Sequence, residues 1–145
     1  SGEFGIDKII FSQIKVDNCR FRDVQFQHSK FMGIVFAHLN PFLLKWSFSK
    51  CLIRLCDFSS LDISGTKFIE CDLRENDFIN TKLTGCQFTD CNLEKSRFQN
   101  TNLENADLTT ARNYYLDPRH NFLKHARFSY PEVLSLLKPF NINLE

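Results

Sequence analysis

A chain of 145 residues is long enough for one domain with a real core, and its net charge of +1 argues against a strongly basic nucleic-acid binder. Sixteen Phe stand against one Met, one Trp and five Gly. No run approaches the roughly 18 consecutive apolar residues that a membrane-spanning helix needs.

In chain order, Ser1-Gly2-Glu3-Phe4 reads as a cloning scar covering residues 1–5, with no start Met. From Ile6 a large apolar residue recurs every fifth position, at Ile6, Phe11, Val16, Phe21, Phe26, Phe31 and Phe36. The beat then slips by two residues near His38-Leu39-Asn40-Pro41, where Asn-Pro signals a turn and an outward bulge is expected over residues 37–42. It resumes at Leu43 and runs unbroken through Phe48, Ile53, Phe58, Ile63, Phe68, Leu73, Phe78, Leu83, Phe88, Leu93, Phe98 and Leu103 to Leu108. A helix repeats every 3.6 residues and a strand every two, so neither explains a period of five. After Ala111 the beat is lost. Asp117-Pro118 suits the start of a short helix, and Ser129, Pro131 and Glu132 start a second that is expected to stop at Pro139.

Within the repeat, a small residue sits two positions before most beats (Cys51, Cys56, Thr66, Cys71, Asn76, Thr81, Cys86, Cys91, Ser96, Thr101, Ala106). Asp or Asn often sits one before, as at Asp57, Asp62, Asp72, Asp77, Asn92, Asn102 and Asp107. Units such as "CDLRE", "CNLEK", "TNLEN" and "ADLTT" closely resemble the pentapeptide-repeat family. That resemblance implies an all-β solenoid, a right-handed quadrilateral β-helix with four pentapeptides per coil. It spans residues 6–112 as about five coils, closed by a short α-helical cap over residues 113–145. The residues agree: grouping by twenty stacks Ile53, Leu73 and Leu93 on one face and Phe58, Phe78 and Phe98 on the next. Ile63, Leu83 and Leu103 follow, then Phe68, Phe88 and Leu108. Because solenoid ends need covering, the coils are expected to continue upstream in the natural protein.

Through "NYYLDP", "ARFSYPE" and the Leu-rich segment, the tail resembles the caps of quinolone-resistance and microcin-immunity members of the family. That resemblance implies a homodimer through the cap. Val133, Leu134, Leu136, Leu137 and Phe140 offer more apolar positions than covering one coil requires.

The search for chemistry yields little. The six cysteines occupy inward positions without zinc spacing, so a ladder of reduced thiols suited to a cytoplasmic setting is expected, with no metal and no cofactor. His28, His38, His120 and His125 are scattered, and no phosphate loop or nucleophile elbow is present. An enzyme is not expected. Met32, Leu39, Phe42, Leu44, Trp46, Leu52 and Leu55 crowd the insertion, either as local packing under the bulge or as a partner-binding patch. The reading is a non-enzymatic protein-interaction scaffold, with no membrane and no direct nucleic acid. The alternative is a DNA-mimic protector of DNA gyrase or topoisomerase IV, as the cap resemblance implies. Against that alternative, residues 54–110 hold ten Asp/Glu and six Lys/Arg, a weak negative balance between basic ends.

Overall fold

The computed structural model describes residues 4–12, 22–39 and 45–145. Large and small inward residues alternate with outward ones, so each five-residue unit turns a corner and every wall stacks in parallel on the coil before it. One wall carries β1 (Phe4–Asp7), β3 (Arg22–Gln27), β5 (Lys45–Ser49), β7 (Lys67–Ile69) and β8 (Gln87–Thr89), paired in that order. Bridges Gln87↔Asp107 and Asp107↔Arg127 prolong it. The next wall pairs β2 (Ile10–Ser12), β4 (Lys30–Met32) and β6 (Leu52–Arg54), then continues through Asp72, Asn92 and Arg112. The third runs through Val35, Asp57, Asp77 and Arg97, and the fourth through Asp62, Lys82, Asn102 and Phe122. Parallel strands joined around one axis turn right-handed. The fold is therefore the quadrilateral β-helix that the repeat implied.

The slip in the beat appears as a register change. Phe26 pairs with Phe48, Phe31 with Ile53 and Val35 with Asp57, each across twenty-two residues, whereas Phe48 pairs with Phe68 across twenty. The extra residues therefore lie between Val35 and β5, beginning with a 3₁₀ turn at Phe36–His38. Asn40, Pro41 and Leu43, like the expected beats Val16 and Phe21, lie outside the described residues.

The core is laminated. Phe26, Phe48, Phe68 and Phe88 stack with ring centroids 5.1–5.4 Å apart, and Phe36, Phe58, Phe78 and Phe98 at 4.8–5.3 Å. Aliphatic columns separate the two stacks, with Leu73, Leu83, Leu93 and Leu103 fully buried.

The small inward residues do more than leave room. The thiols of Cys71, Cys86 and Cys91 donate to the carbonyls of Phe48, Ile63 and Phe68 at 3.5, 3.3 and 3.2 Å. Thr81 Oγ1 donates to Phe58 O at 2.9 Å and Asn76 Nδ2 to Ile53 O at 2.7 Å. These beat carbonyls point into a dry interior, where an unmet acceptor is costly, and a donor one coil later satisfies each of the five. Outside, the Asp/Asn position closes the corner: Asp57, Asp62, Asn92, Asn102 and Asp107 accept from the N–H two residues on, at 2.8–3.1 Å.

The tail departs from expectation in helix type. Both helices are 3₁₀, at Pro118–His120 and Glu132–Phe140, and Pro139 lies inside the second instead of stopping it. Prolines at both ends remove donors an α-helix would use, and short i→i−3 bonds remain, as from Leu134 N to Pro131 O (3.0 Å). Asn141, at φ 54°, ends the segment. Leu123, Phe128 and Leu136 close the last coil against the core.

Candidate functional site

The walls carry charge in neutralised pairs. Arg97 grips Asp77 one coil above through two hydrogen bonds of 2.6 and 2.8 Å. Arg127 pairs with Asp107, also one coil away, through a single hydrogen bond from its guanidinium, Arg54 pairs with Glu75, and Arg74 folds back on Asp72 at 2.7 Å. Burial pushes the Asp107 carboxyl up, but the Thr109 N–H and hydroxyl and the Arg127 guanidinium outweigh it and hold the group below its usual range. Successive acidic positions thus do not merge into a continuous negative face.

The alternative of a partner-binding patch beside the insertion does not hold together. Trp46 and Leu39 are buried, at 6% and 3% exposure. Trp46 takes a small inward position because Val24 stands before it and Thr66 after it in its column. Its Nε1–H donates to Thr66 Oγ1 at 3.0 Å, and its ring meets Phe36, Phe48 and Phe58 edge-on at 5.1–6.4 Å. These two are core residues: local packing, the first of the two readings, describes them, and neither belongs to a partner-binding patch. Met32 and Leu52 are half-buried, and Leu55 stands out at 55%. Phe42 and Leu44 lie outside the described residues.

The last coil and cap collect the larger share of exposed apolar groups. Tyr115, Phe122, Tyr130, Phe140, Ile142 and Leu144 are all at least 40% exposed. Val133, Leu134, Leu136 and Leu137 are half-buried, and Phe140 lies under the Arg119 guanidinium, 4.5 Å from its centroid. Leu134 and Leu137 line a groove of about 270 Å³ with Ile142 and Leu144. Asp117 anchors the turn before the cap: its carboxylate accepts from the Arg119 backbone N–H and side chain at 2.8–3.0 Å, and the guanidinium holds its pKa down to about 2.

A second groove escaped the sequence reading. On the third wall the bridges stop at Arg97, whereas the other three continue to Arg112, Phe122 and Arg127. The next rung should come from Asp117, but Pro118 stands at the beat and buried Leu116 at the small position. The Asp117 carbonyl instead accepts from His120 N–H (3.1 Å) and Asn121 Nδ2 (3.0 Å). Among the described residues, the Phe98 N–H and Ser96 C=O carry no hydrogen bond. A groove of about 740 Å³ opens there, lined by Ile79, Lys95, Arg97, Phe98, Tyr115 and His120 among others. Large residues at 116 and 118 were the available signal.

Five described cysteines are free and buried. Burial pushes the Cys86 thiol up to about 12 and Cys56 to about 11. Cys19 lies outside the described residues. Among the described residues no cluster of His, Cys, Asp or Glu is placed to hold a metal, and no helix is long and apolar enough to cross a membrane.

A filled four-sided β-helix with an apolar cap defines a solenoid whose chemistry lies on its surface. Residues 39–108 match the family model described as pentapeptide repeat region, and this stretch belongs to the pentapeptide-repeat family. No curated protein sequence matches the chain. Its fold is similar to trypsin-treated QnrB1, a plasmid-mediated fluoroquinolone resistance protein, with a TM-score of 0.53 and 14% identity. That match covers 97% of this chain and 91% of QnrB1. A pentapeptide repeat protein from the Arabidopsis thaliana thylakoid lumen matches at a TM-score of 0.45 and 20% identity, over 78% of this chain and 70% of that one.

Proposed function

We propose that the chain is a non-enzymatic, cytoplasmic protein-interaction scaffold that pairs with a second copy through its cap. One observation carries this reading: exposed aromatic and aliphatic side chains gather at the last coil and cap, beneath an interior packed with stacked rings. A contiguous apolar end of this kind is stabilised by covering it. Val133, Leu134, Leu136, Leu137 and Phe140 form the pairing surface. Light scattering at micromolar concentration is expected to give a dimer, and Leu134→Glu or Leu137→Glu a monomer. A wild-type monomer over that range sinks the proposal.

Likeness to QnrB1 supports a second reading, protection of DNA gyrase or topoisomerase IV by DNA mimicry. Charge weighs against it. Duplex DNA carries one negative charge per ~1.7 Å, or about eight over the ~14 Å that three stacked coils span. Residues 54–110, nearly three coils, hold a net charge of only −4, and one of their carboxylates, Asp107, is paired with Arg127 outside that stretch. A supercoiling assay with and without a quinolone decides the matter. No change at tenfold molar excess leaves the scaffold alone.

A further inference from the structure

We propose that the open rung on the third wall receives the tail of a second copy, residues 141–145, as an added parallel strand. This rests on the cap-to-cap pairing proposed above and specifies what that pairing exchanges.

The groove has what a strand needs. Elsewhere on this wall, Phe58 N–H donates to Asp77 O and Phe78 N–H to Arg97 O at 2.9 Å, while Asp77 and Arg97 N–H donate back to Cys56 and Asn76 carbonyls at 2.8–2.9 Å. Phe98 N–H and Ser96 C=O are the same donor and acceptor one coil on, and they have no rung to meet. An unpaired edge of this sort is a template for an incoming strand. Ile79, Phe98 and Tyr115 give the groove an apolar lining, Tyr115 being half-exposed. Lys95, Arg97 and His120 stand among the lining residues, and Lys95 makes no ion pair among the described residues.

The tail has the matching chemistry. Residues 141–145 (Asn-Ile-Asn-Leu-Glu) are exposed throughout and take no regular structure after Asn141. In an extended strand, Ile142 and Leu144 fall on one side and the two Asn on the other. Both apolar side chains are more than half exposed, at 55% and 57%. Glu145 follows, opposite in charge to Lys95. The tail also starts beside the groove: Arg119 reaches Pro139 O at 3.4 Å and covers Phe140, and its neighbours Asp117 and His120 are lining residues. A chain's own tail is turned away, since Ile142 and Leu144 lie with Leu134, Leu137 and Pro131 in the smaller groove. In an end-to-end pair, the tail that meets the side groove is the partner's.

Amide hydrogen exchange on the full chain, run beside light scattering, tests this. In the dimer, the Phe98 amide is expected to exchange at least tenfold more slowly than an open amide, and Leu144→Asp removes that protection. Arg97 N–H, bonded to Asn76 O, stays protected in both and reports an intact wall. Isotope-labelled Leu144→Asp chain mixed with unlabelled wild type should regain Phe98 protection, because the wild-type tail arrives from the other copy. A dimer with an unprotected Phe98 amide overturns the tail exchange and leaves cap pairing standing. Protection that the wild-type partner cannot restore overturns the second-copy assignment. A monomer throughout overturns both.

Discussion

Asn76 gives the sharpest measure of what the inward polar residues contribute. Its side chain is fully buried, donates to Ile53 O at 2.7 Å and accepts from Cys56 N–H at 3.0 Å. Asn76→Ala leaves both backbone groups without a partner in a dry core. At about 1–3 kcal/mol for each orphan, the loss is about 2–6 kcal/mol. Asn76→Ser should be far milder. Ser96, one coil on in the same column, already does both jobs with one hydroxyl, donating to Leu73 O and accepting from Asn76 N–H at 3.0 Å. Asn76→Ser is therefore expected to cost about 1 kcal/mol or less, mostly for lost volume. Urea unfolding followed by fluorescence of the single, buried Trp46 reads the difference. If serine costs as much as alanine, position 76 is set by size and the donor argument fails.

Leu83→Ala should cost about 2–5 kcal/mol as a truncation of a fully buried side chain. Thr84→Ala should stay within about 0.5 kcal/mol, since the Thr84 hydroxyl has no partner to lose; the same unfolding assay compares them. Asp117 makes the cap acid-sensitive. Its pKa is about 2 in the fold, below the ordinary unfolded value near 3.9, so its contribution is complete above that value and disappears as pH falls towards 2. Exchange of the Arg119 amide should therefore speed up over that window. Asp117→Asn, which keeps an acceptor for that amide, should flatten the dependence.

The period of five and its grouping by twenty disclosed the core, because inward and outward positions are fixed by the square coil and each repeat obeys the same geometry. Phe68, Leu73, Phe78 and Leu83 needed no tertiary information. The small position was legible only as small. That Cys, Thr, Ser and Asn recur there because each is a donor emerged from the carbonyls of Phe48, Ile53 and Phe58, which no periodicity shows. Whether Trp46 packs or faces a partner stayed open in the sequence because its position depends on Val24, its column neighbour across a two-residue register change, and on Thr66. The helix type of the tail was missed because capping residues mark where a helix starts without fixing whether its bonds run i→i−3 or i→i−4. The open rung was hidden for a related reason: the spacing from Asn113 to Leu123 to Phe128 stays regular, while Pro118 and Leu116 divert the backbone between them.

Donor logic also singles out where the column of thiols ends. Cys51, Cys71 and Cys91 satisfy the carbonyls of Phe26, Phe48 and Phe68, and the next residue in that column is Ala111, which has no donor to offer Phe88. Ala111 is buried at 2% exposure, and among the described residues the Phe88 carbonyl accepts no hydrogen bond. Ala111→Ser adds one oxygen at the place where Ser96 and Thr81 hydroxyls reach their carbonyls in neighbouring columns. A hydrogen bond made in this way is worth about 0.5–1.5 kcal/mol net, which in a chain of this size raises the melting temperature by roughly 2–4 °C per kcal/mol. Calorimetry should show that rise with cap pairing unchanged, because position 111 faces inward. A fall in melting temperature would mean that the column closes too tightly above the cap to admit a hydroxyl, and that alanine there is a packing requirement.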